Sequence, residues 1–185
     1  SGIEVRVPFL ENEMIEKFLF MSEHKKINFF KSNKPYVRKL FSSELAKKVR
    51  EEHGEVSVIT GTNVFAHIDD LDDFFKAADI VLSDNGIIVI EAPYLITLLD
   101  DLEYDTIYHE HLSYISLKPL KQFCKKKNMD IFNAELNDIH GGSLRLFIGR
   151  EDVRDISENI ETLLNLEEEK QIYKKQRLVK RVIGF

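Results

Sequence analysis

The chain is short of cysteine, of long apolar runs and of positive charge, and each shortage removes a class of protein. A single cysteine, Cys124, in 185 residues excludes an internal disulfide and a cysteine-rich structural zinc site. It falls among Leu117, Leu120 and Phe123 on an expected helix face, where the expectation is a small core residue. No stretch approaches the roughly 20 apolar residues that span a bilayer. The first residues also lack the basic, apolar and small-residue layout of a signal peptide, so the expectation is a cytoplasmic chain without a membrane partner. A formal net charge of -6 and a pI near 5.6 leave no overall basic field to steer a phosphate backbone, which argues against nucleic acid. There are no internal repeats. What is present, 43% hydrophobic residues, suffices for one core or for one domain with an appendage.

The order of elements predicts an α/β layer. Ser42 or Ser43 caps a helix through Arg50, and His53-Gly54 stops it. Val56 to Thr60 is rich in branched residues and reads as a strand ending at Gly61, Thr62 and Asn63. Asp69 or Asp70 caps the next helix, in which Leu71, Phe74, Phe75, Ala78, Val81 and Leu82 follow helical spacing. Asp84-Asn85-Gly86 offers a turn, and Ile87 to Ile90 is a continuous apolar run of the kind found in a strand covered on both faces. Strand, helix and strand in succession imply a right-handed parallel crossover. Leu95 to Leu99 suggests a short helix, and Ser116 caps a helix from Leu117 to Lys127. Met129 to Leu136 and Ser143 to Gly149 then form an antiparallel hairpin at one sheet edge. From Ser157 onward, apolar residues spaced among charges predict an amphipathic helical tail over 151–185.

The richest chemistry lies between Asp105 and Tyr114, where Tyr108, His109, Glu110, His111 and Tyr114 follow an apolar segment. Titratable groups at this density cost free energy to desolvate unless each is paired, which marks a site. Ligands of open α/β sheets sit beyond the carboxyl ends of the strands, and the loops after Thr60 and Ile90 reach that edge, carrying Asn63 and His67. His140, with Gly141 and Gly142, stands at the hairpin tip, where bare amides can receive an anionic or hydroxyl-rich ligand. His109 and His111 lack the i, i+4 spacing of helical metal ligands. An extended pair joined by His140 or His67 is the remaining metal arrangement, and the reading assigns no metal. No serine or cysteine stands on a glycine-flanked elbow for nucleophilic attack. A histidine base oriented by a glutamate, with a tyrosine hydroxyl for a developing oxyanion, fits these residues better. A braced network of polar groups fits the spacing equally well.

Two resemblances add to this reading. The string GIEVRVPFLENEMIEKF, together with Lys34-Pro35-Tyr36-Val37-Arg38-Lys39, resembles a stretch of asparagine synthetases in which a glutamate lines the adenylation site and a lysine binds phosphate. Glu4 and Lys34 are the matching positions. That family's serine- and glycine-rich pyrophosphate loop has no counterpart here, so the resemblance implies a helical fragment over 1–40 without ATP-dependent ligase activity.

Residues 41 to about 180 resemble the S-adenosylmethionine-dependent C-methyltransferases of deoxysugar nucleotides. The resemblance rests on NVFAHIDDL (Asn63 to Leu71), GIIVIEAPYL (Gly86 to Leu95), YDTIYHEHLSY (Tyr104 to Tyr114) and HGGSLRLF (His140 to Phe147). It implies a partial Rossmann-like methyltransferase sheet over 41–150, its C-terminal half, mostly parallel with an antiparallel edge hairpin and flanked by helical N- and C-terminal segments. It also implies His111 as the base that forms an enolate beside a 4-keto group, with Glu110 and Tyr108 assisting. Asn63 and His67 would stand at the cofactor, and His140 and Arg145 at the nucleotide-sugar substrate. The family's cysteine-rich zinc module and its ExGSNDG cofactor loop have no counterpart, so the expectation is an impaired enzyme. The alternatives are a non-catalytic assembly module, with a homo-oligomer formed through an exposed sheet edge, and a remnant of an amide ligase.

Overall fold

The computed structural model describes residues 4–6, 40–137 and 142–174 of the chain. Its centre is a sheet ordered β1-β2-β3-β5-β4. These strands are β1 (Glu4–Arg6), β2 (Val56–Thr62), β3 (Leu82–Pro93), β4 (Met129–Asn137) and β5 (Ser143–Arg150). The first three run parallel, and β5 inserts antiparallel between β3 and the outer strand β4. The expected parallel crossover and edge hairpin are therefore both present. Residues 4–6, within the segment read as helical, instead pair as a strand with Val58 to Thr60 on the edge of β2. The helix expected around Met14 to Leu19, together with Lys34, His140 and Gly141, lies outside the described residues.

Among the described residues five helices accompany the sheet: α1 (Ser43–His53), α2 (Leu71–Val81), α3 (Leu95–Asp100), α4 (Leu117–Lys125) and α5 (Glu158–Glu169). Ser42 caps α1 by accepting from the Leu45 amide, and Gly54 ends it at φ 79, a left-handed value that costs glycine little. Asp70 caps α2 through the Asp73 amide. An aromatic chain links the helices, with Phe41 on Phe74 at 5.6 Å, Phe74 on Phe75 at 5.3 Å and Phe75 on Phe123 at 5.5 Å between centroids. Behind it Ile59, Ile88, Ile90, Leu144, Leu146, Ile148 and Ile131 supply one buried face of the sheet. Cys124 is fully buried in this core, and burial pushes its thiol up to about 12, so it is inert at neutral pH.

Three local readings change. Ile87 and Val89 are only half-buried while Ile88 and Ile90 are buried, so β3 is covered fully on one face rather than two. Asp84-Asn85-Gly86 does not close a turn ahead of the strand. The pairing of β2 with β3 jumps from Val56–Leu82 to Val58–Ile87, and residues 83–86 form the wide irregularity inside β3. Ser116 occupies the N-cap of α4 but its side chain makes no cap bond. The cap comes from Glu167 on α5, a fully buried carboxylate that accepts from the amides of Leu117 at 2.5 Å and Lys118 at 3.0 Å. Glu167 also accepts from the hydroxyls of Tyr94, at 3.0 Å, and Tyr173. A buried carboxylate with four donors is satisfied, and its charge complements the amino end of the helix.

Candidate functional site

Two loops meet at the carboxyl edge of the parallel strands. The first leaves β2 at Asn63, whose φ of 55 lies in the left-handed region that asparagine tolerates better than branched residues do. The Asn63 amide donates to the Glu91 carbonyl at 2.8 Å, which ties the end of β2 to the end of β3. A single 3-10 turn, Phe65–His67, then aims His67 outward while Phe65 and Ala66 stay buried. The second loop runs from α3 to α4. It is pinned to the first by the amides of Leu112 and Ser113, which both donate to the Ala66 carbonyl at 2.8 and 3.1 Å. Its far end is held by a parallel bridge of Tyr94 with Ile115 and by the Leu95 amide on the Ile115 carbonyl at 2.9 Å.

These anchors bring His67, Tyr108 and His111 together. The His67 and His111 rings lie 4.7 Å apart, and Tyr108 stands 4.4 Å from His111. Nδ1 of His111 lies 2.6 Å from the Thr106 carbonyl oxygen, and Nδ1 of His67 lies 2.7 Å from that of Glu110. A carbonyl only accepts, so each Nδ1 carries the proton, and in a neutral ring the basic lone pair then sits on Nε2. At His111 that nitrogen receives the Tyr108 hydroxyl at 3.4 Å. Burial holds the His67 pKa below its ordinary value of 6.5, and the neighbouring His111 lowers it further, against the opposing bond to the Glu110 carbonyl. His67 is therefore neutral at physiological pH.

The expected site residues divide. Tyr108 is 43% exposed at the rim, and His111 lines a narrow cleft with Ala66, Pro93, Leu95, Thr106, Ser113 and Tyr114. Glu110 is exposed and takes part through its main-chain carbonyl, while the Thr106 carbonyl orients the His111 ring. Arg145 does not join the histidines. It sits opposite Glu91 on β5 and gives that carboxylate two hydrogen bonds, from Nε at 2.9 Å and Nη2 at 2.7 Å. Two buried polar atoms at this edge, Asn63 Oδ1 and Ser113 Oγ, have no hydrogen-bond partner among the described residues. Such orphans cost free energy in an empty protein and suit a polar ligand. Among the described residues no cluster of three histidine, cysteine or carboxylate groups is placed to hold a metal.

Sequence reasoning missed Ser113, Glu91 and the Thr106 carbonyl. The first two carried a signal: a hydroxyl inside the cluster, and a charge that closes an apolar strand. A backbone carbonyl carries none. A wider groove between α2 and the α4–β4 turn, lined by Asp70, Asp72, Asp73, Lys76, Lys126 and Lys127, lies away from these loops and is crossed by the Lys127–Asp72 ion pair.

Comparison with known proteins agrees with this architecture. The family described as a methyltransferase domain matches residues 6–133. C-methyltransferase NovU of Streptomyces niveus is 33% identical over 107 residues, which is 58% of this chain and 26% of that protein. The chain thus spans about a quarter of the length of that curated relative. A SAM-dependent methyltransferase from Anabaena variabilis superposes with a TM-score of 0.52 at 12% identity, over 81% of this chain and 77% of its own. The mitomycin 7-O-methyltransferase MmcR gives a TM-score of 0.52 at 12% identity, over 80% of this chain and 41% of its own. PH0226 protein from Pyrococcus horikoshii gives 0.52 at 15% identity, over 81% and 73%. These likenesses concern the fold, a Rossmann-like α/β sheet, and not the acceptor atom. With a family match that runs over more than half of its length, the chain belongs to the methyltransferase-domain family.

Proposed function

We propose that this chain carries the base-bearing part of an S-adenosylmethionine-dependent C-methyltransferase acting on a nucleotide-linked deoxysugar. The observation that carries the reading is the locked tautomer of His111, with Nδ1–H on the Thr106 carbonyl and Nε2 left as the basic nitrogen at the cleft. A carbon nucleophile must be made by removing a C–H proton, and a neutral histidine is suited to that step near neutral pH. Nε2 of His111 takes the proton from the carbon beside a 4-keto group, and the electron pair moves into the carbonyl to give an enolate. The positive ring that results is stabilised by its short Nδ1–H bond to Thr106. The Tyr108 hydroxyl, which rests on Nε2 in the absence of substrate, turns to donate to the enolate oxygen.

S-adenosylmethionine, when bound, supplies an electrophilic methyl group on a sulfonium centre. Asn63 and His67 would hold it at the end of β2. The orphaned Asn63 Oδ1 is an acceptor there, and a neutral His67 places no like charge beside a cation. No glycine stands between Gly2 and Gly54, so the residues before β2 offer no counterpart of the family's glycine-containing cofactor loop. We infer that these 185 residues by themselves bind the cofactor weakly and methylate slowly. On this reading residues 41–150 are the C-terminal half of the methyltransferase sheet, with β1 (Glu4–Arg6) added at its edge and α5 (Glu158–Glu169) following it, and the sequence likeness of residues 1–40 to asparagine synthetases carries no ligase activity.

The test is a long incubation of the chain with S-adenosylmethionine and a nucleotide-linked 4-keto sugar, with the product placed by NMR. A methyl group on the carbon beside the carbonyl, lost in His111→Gln, is the expected result. Methylation on oxygen, or carbon methylation that survives His111→Gln, overturns the assignment.

A further inference from the structure

Glu91 is the charge that the proposed chemistry leaves unused. It closes the apolar run of β3, is only 6% exposed, and its carboxylate gathers three donors on one oxygen. Oε2 accepts from Nε and Nη2 of Arg145 at 2.9 and 2.7 Å and from Asn137 Nδ2 at 3.4 Å. Among the described residues no donor reaches Oε1. The partner guanidinium is likewise only partly used, since its side chain is 37% exposed and Nη1 lies 3.9 Å from Glu135 Oε2, beyond hydrogen-bond range.

Position ties this pair to the site. Alternation along a strand puts Glu91 and Pro93 on the same face of β3, about 7 Å apart. Pro93 lines the cleft of His111. On its other side the Glu91 carbonyl holds the Asn63 amide at 2.8 Å. The pair therefore borders both loops of the site.

We propose that Glu91 and Arg145 form a subsite for hydroxyl groups of the substrate's sugar ring, a proposal that rests on the nucleotide-sugar reading above. Charge selects the ligand. Among the described residues two carboxylates, Glu91 and Glu135, face one guanidinium, a balance that disfavours phosphate. A neutral diol meets both of its needs: one hydroxyl donates to Oε1 of Glu91, and its neighbour accepts from Nη1 of Arg145. The guanidinium is oriented in advance by its two bonds to a buried carboxylate, so little rotamer entropy is lost on binding.

The experiment follows the Arg145 Nε–H and the His111 ring signals of the full 185-residue chain by NMR during titration. The probes are uridine- or thymidine-diphosphate glucose, whichever binds more tightly, the matching nucleoside diphosphate, and pyrophosphate. The expected result is that the sugar nucleotide moves both signals while the diphosphate and pyrophosphate leave Arg145 unmoved. Glu91→Gln, confirmed folded by its spectrum, is expected to weaken the sugar nucleotide about tenfold and the diphosphate not at all, the scale of one charged hydrogen bond. Arg145 responding equally to pyrophosphate, or Glu91→Gln binding like the parent chain, overturns the subsite. If the sugar nucleotide moves His111 and not Arg145, the subsite falls while the base assignment stands. If it moves neither, both fall.

Discussion

At the scale of single residues, the site is defined by which nitrogen holds a proton. His67 and His111 each spend Nδ1–H on a main-chain carbonyl, and their rings touch at 4.7 Å, so two positive charges there would repel. His67 is accordingly expected to titrate with a midpoint below 6.5, read from its Hε1 shift against pH. The sign for stability follows from that depression. The unfolded chain takes up the proton first, so the His67 contribution is complete above pH 6.5 and is lost as pH falls through that value toward the folded-state pKa. Replacing His67 by Asn should flatten this part of the stability profile, measured as the urea midpoint against pH. Tyr108→Phe removes the hydroxyl offered to the oxyanion, and proton abstraction from a 4-keto sugar should slow by about a hundredfold with the fold unchanged. An unchanged rate would remove Tyr108 from the chemistry. The cluster's residue types were legible in the sequence because so many titratable groups crowd ten positions. Their division of labour was not, because the Thr106 and Glu110 carbonyls that orient the rings belong to the backbone and leave no mark in residue identity.

At the scale of elements, periodicity carried most of the reading. The apolar spacing of Leu71, Phe74, Phe75, Ala78, Val81 and Leu82 found α2 but ran one residue past its end, since Leu82 opens β3, and the branched run Val56 to Thr60 found β2. Two of the misreadings share one cause, a long-range partner that overrides a local signal. Asp84-Asn85-Gly86 has turn chemistry, yet it is drawn into β3 beside β2, and Arg154, just beyond the end of β5, donates to the Asn85 carbonyl. Ser116 has capping chemistry, yet the cap of α4 arrives from Glu167, fifty residues along the chain. Glu167 also holds Tyr94 at the head of α3, so one carboxylate clamps both flanks of the loop that carries His111. Burial and that carboxylate together push the Tyr94 hydroxyl well above its ordinary range, which keeps it a donor at any working pH. Glu167→Ala would strand the Tyr94 hydroxyl and two helix amides in the core, at a cost of about 3 kcal/mol seen as a lower urea midpoint. Glu167→Gln, which keeps an acceptor oxygen, should lose less. At the hairpin, Gly142 has φ 120 and an added Cβ would come within 2.6 Å of Thr97, so Gly142→Ala is expected to destabilise by about 2 kcal/mol.

At the scale of the whole molecule, the parallel strands β2 and β3 of a mixed sheet send their loops to one carboxyl edge, which explains why residues from Asn63 to Ser113 share a site. No helix of the described residues is long and apolar enough to cross a membrane. Fold and family leave the acceptor open, since a solved neighbour of this fold is an O-methyltransferase while the curated relative is a C-methyltransferase. The distinction therefore rests on the His111 base, and its action can be seen without any methyl transfer. The chain is incubated in deuterium oxide with a nucleotide-linked 4-keto sugar and no S-adenosylmethionine, and the protons beside the carbonyl are followed by NMR. Exchange of the proton at one adjacent carbon, faster than in buffer alone and abolished by His111→Gln, is the expected result. Exchange at the buffer rate, or exchange that persists in His111→Gln, would contradict it.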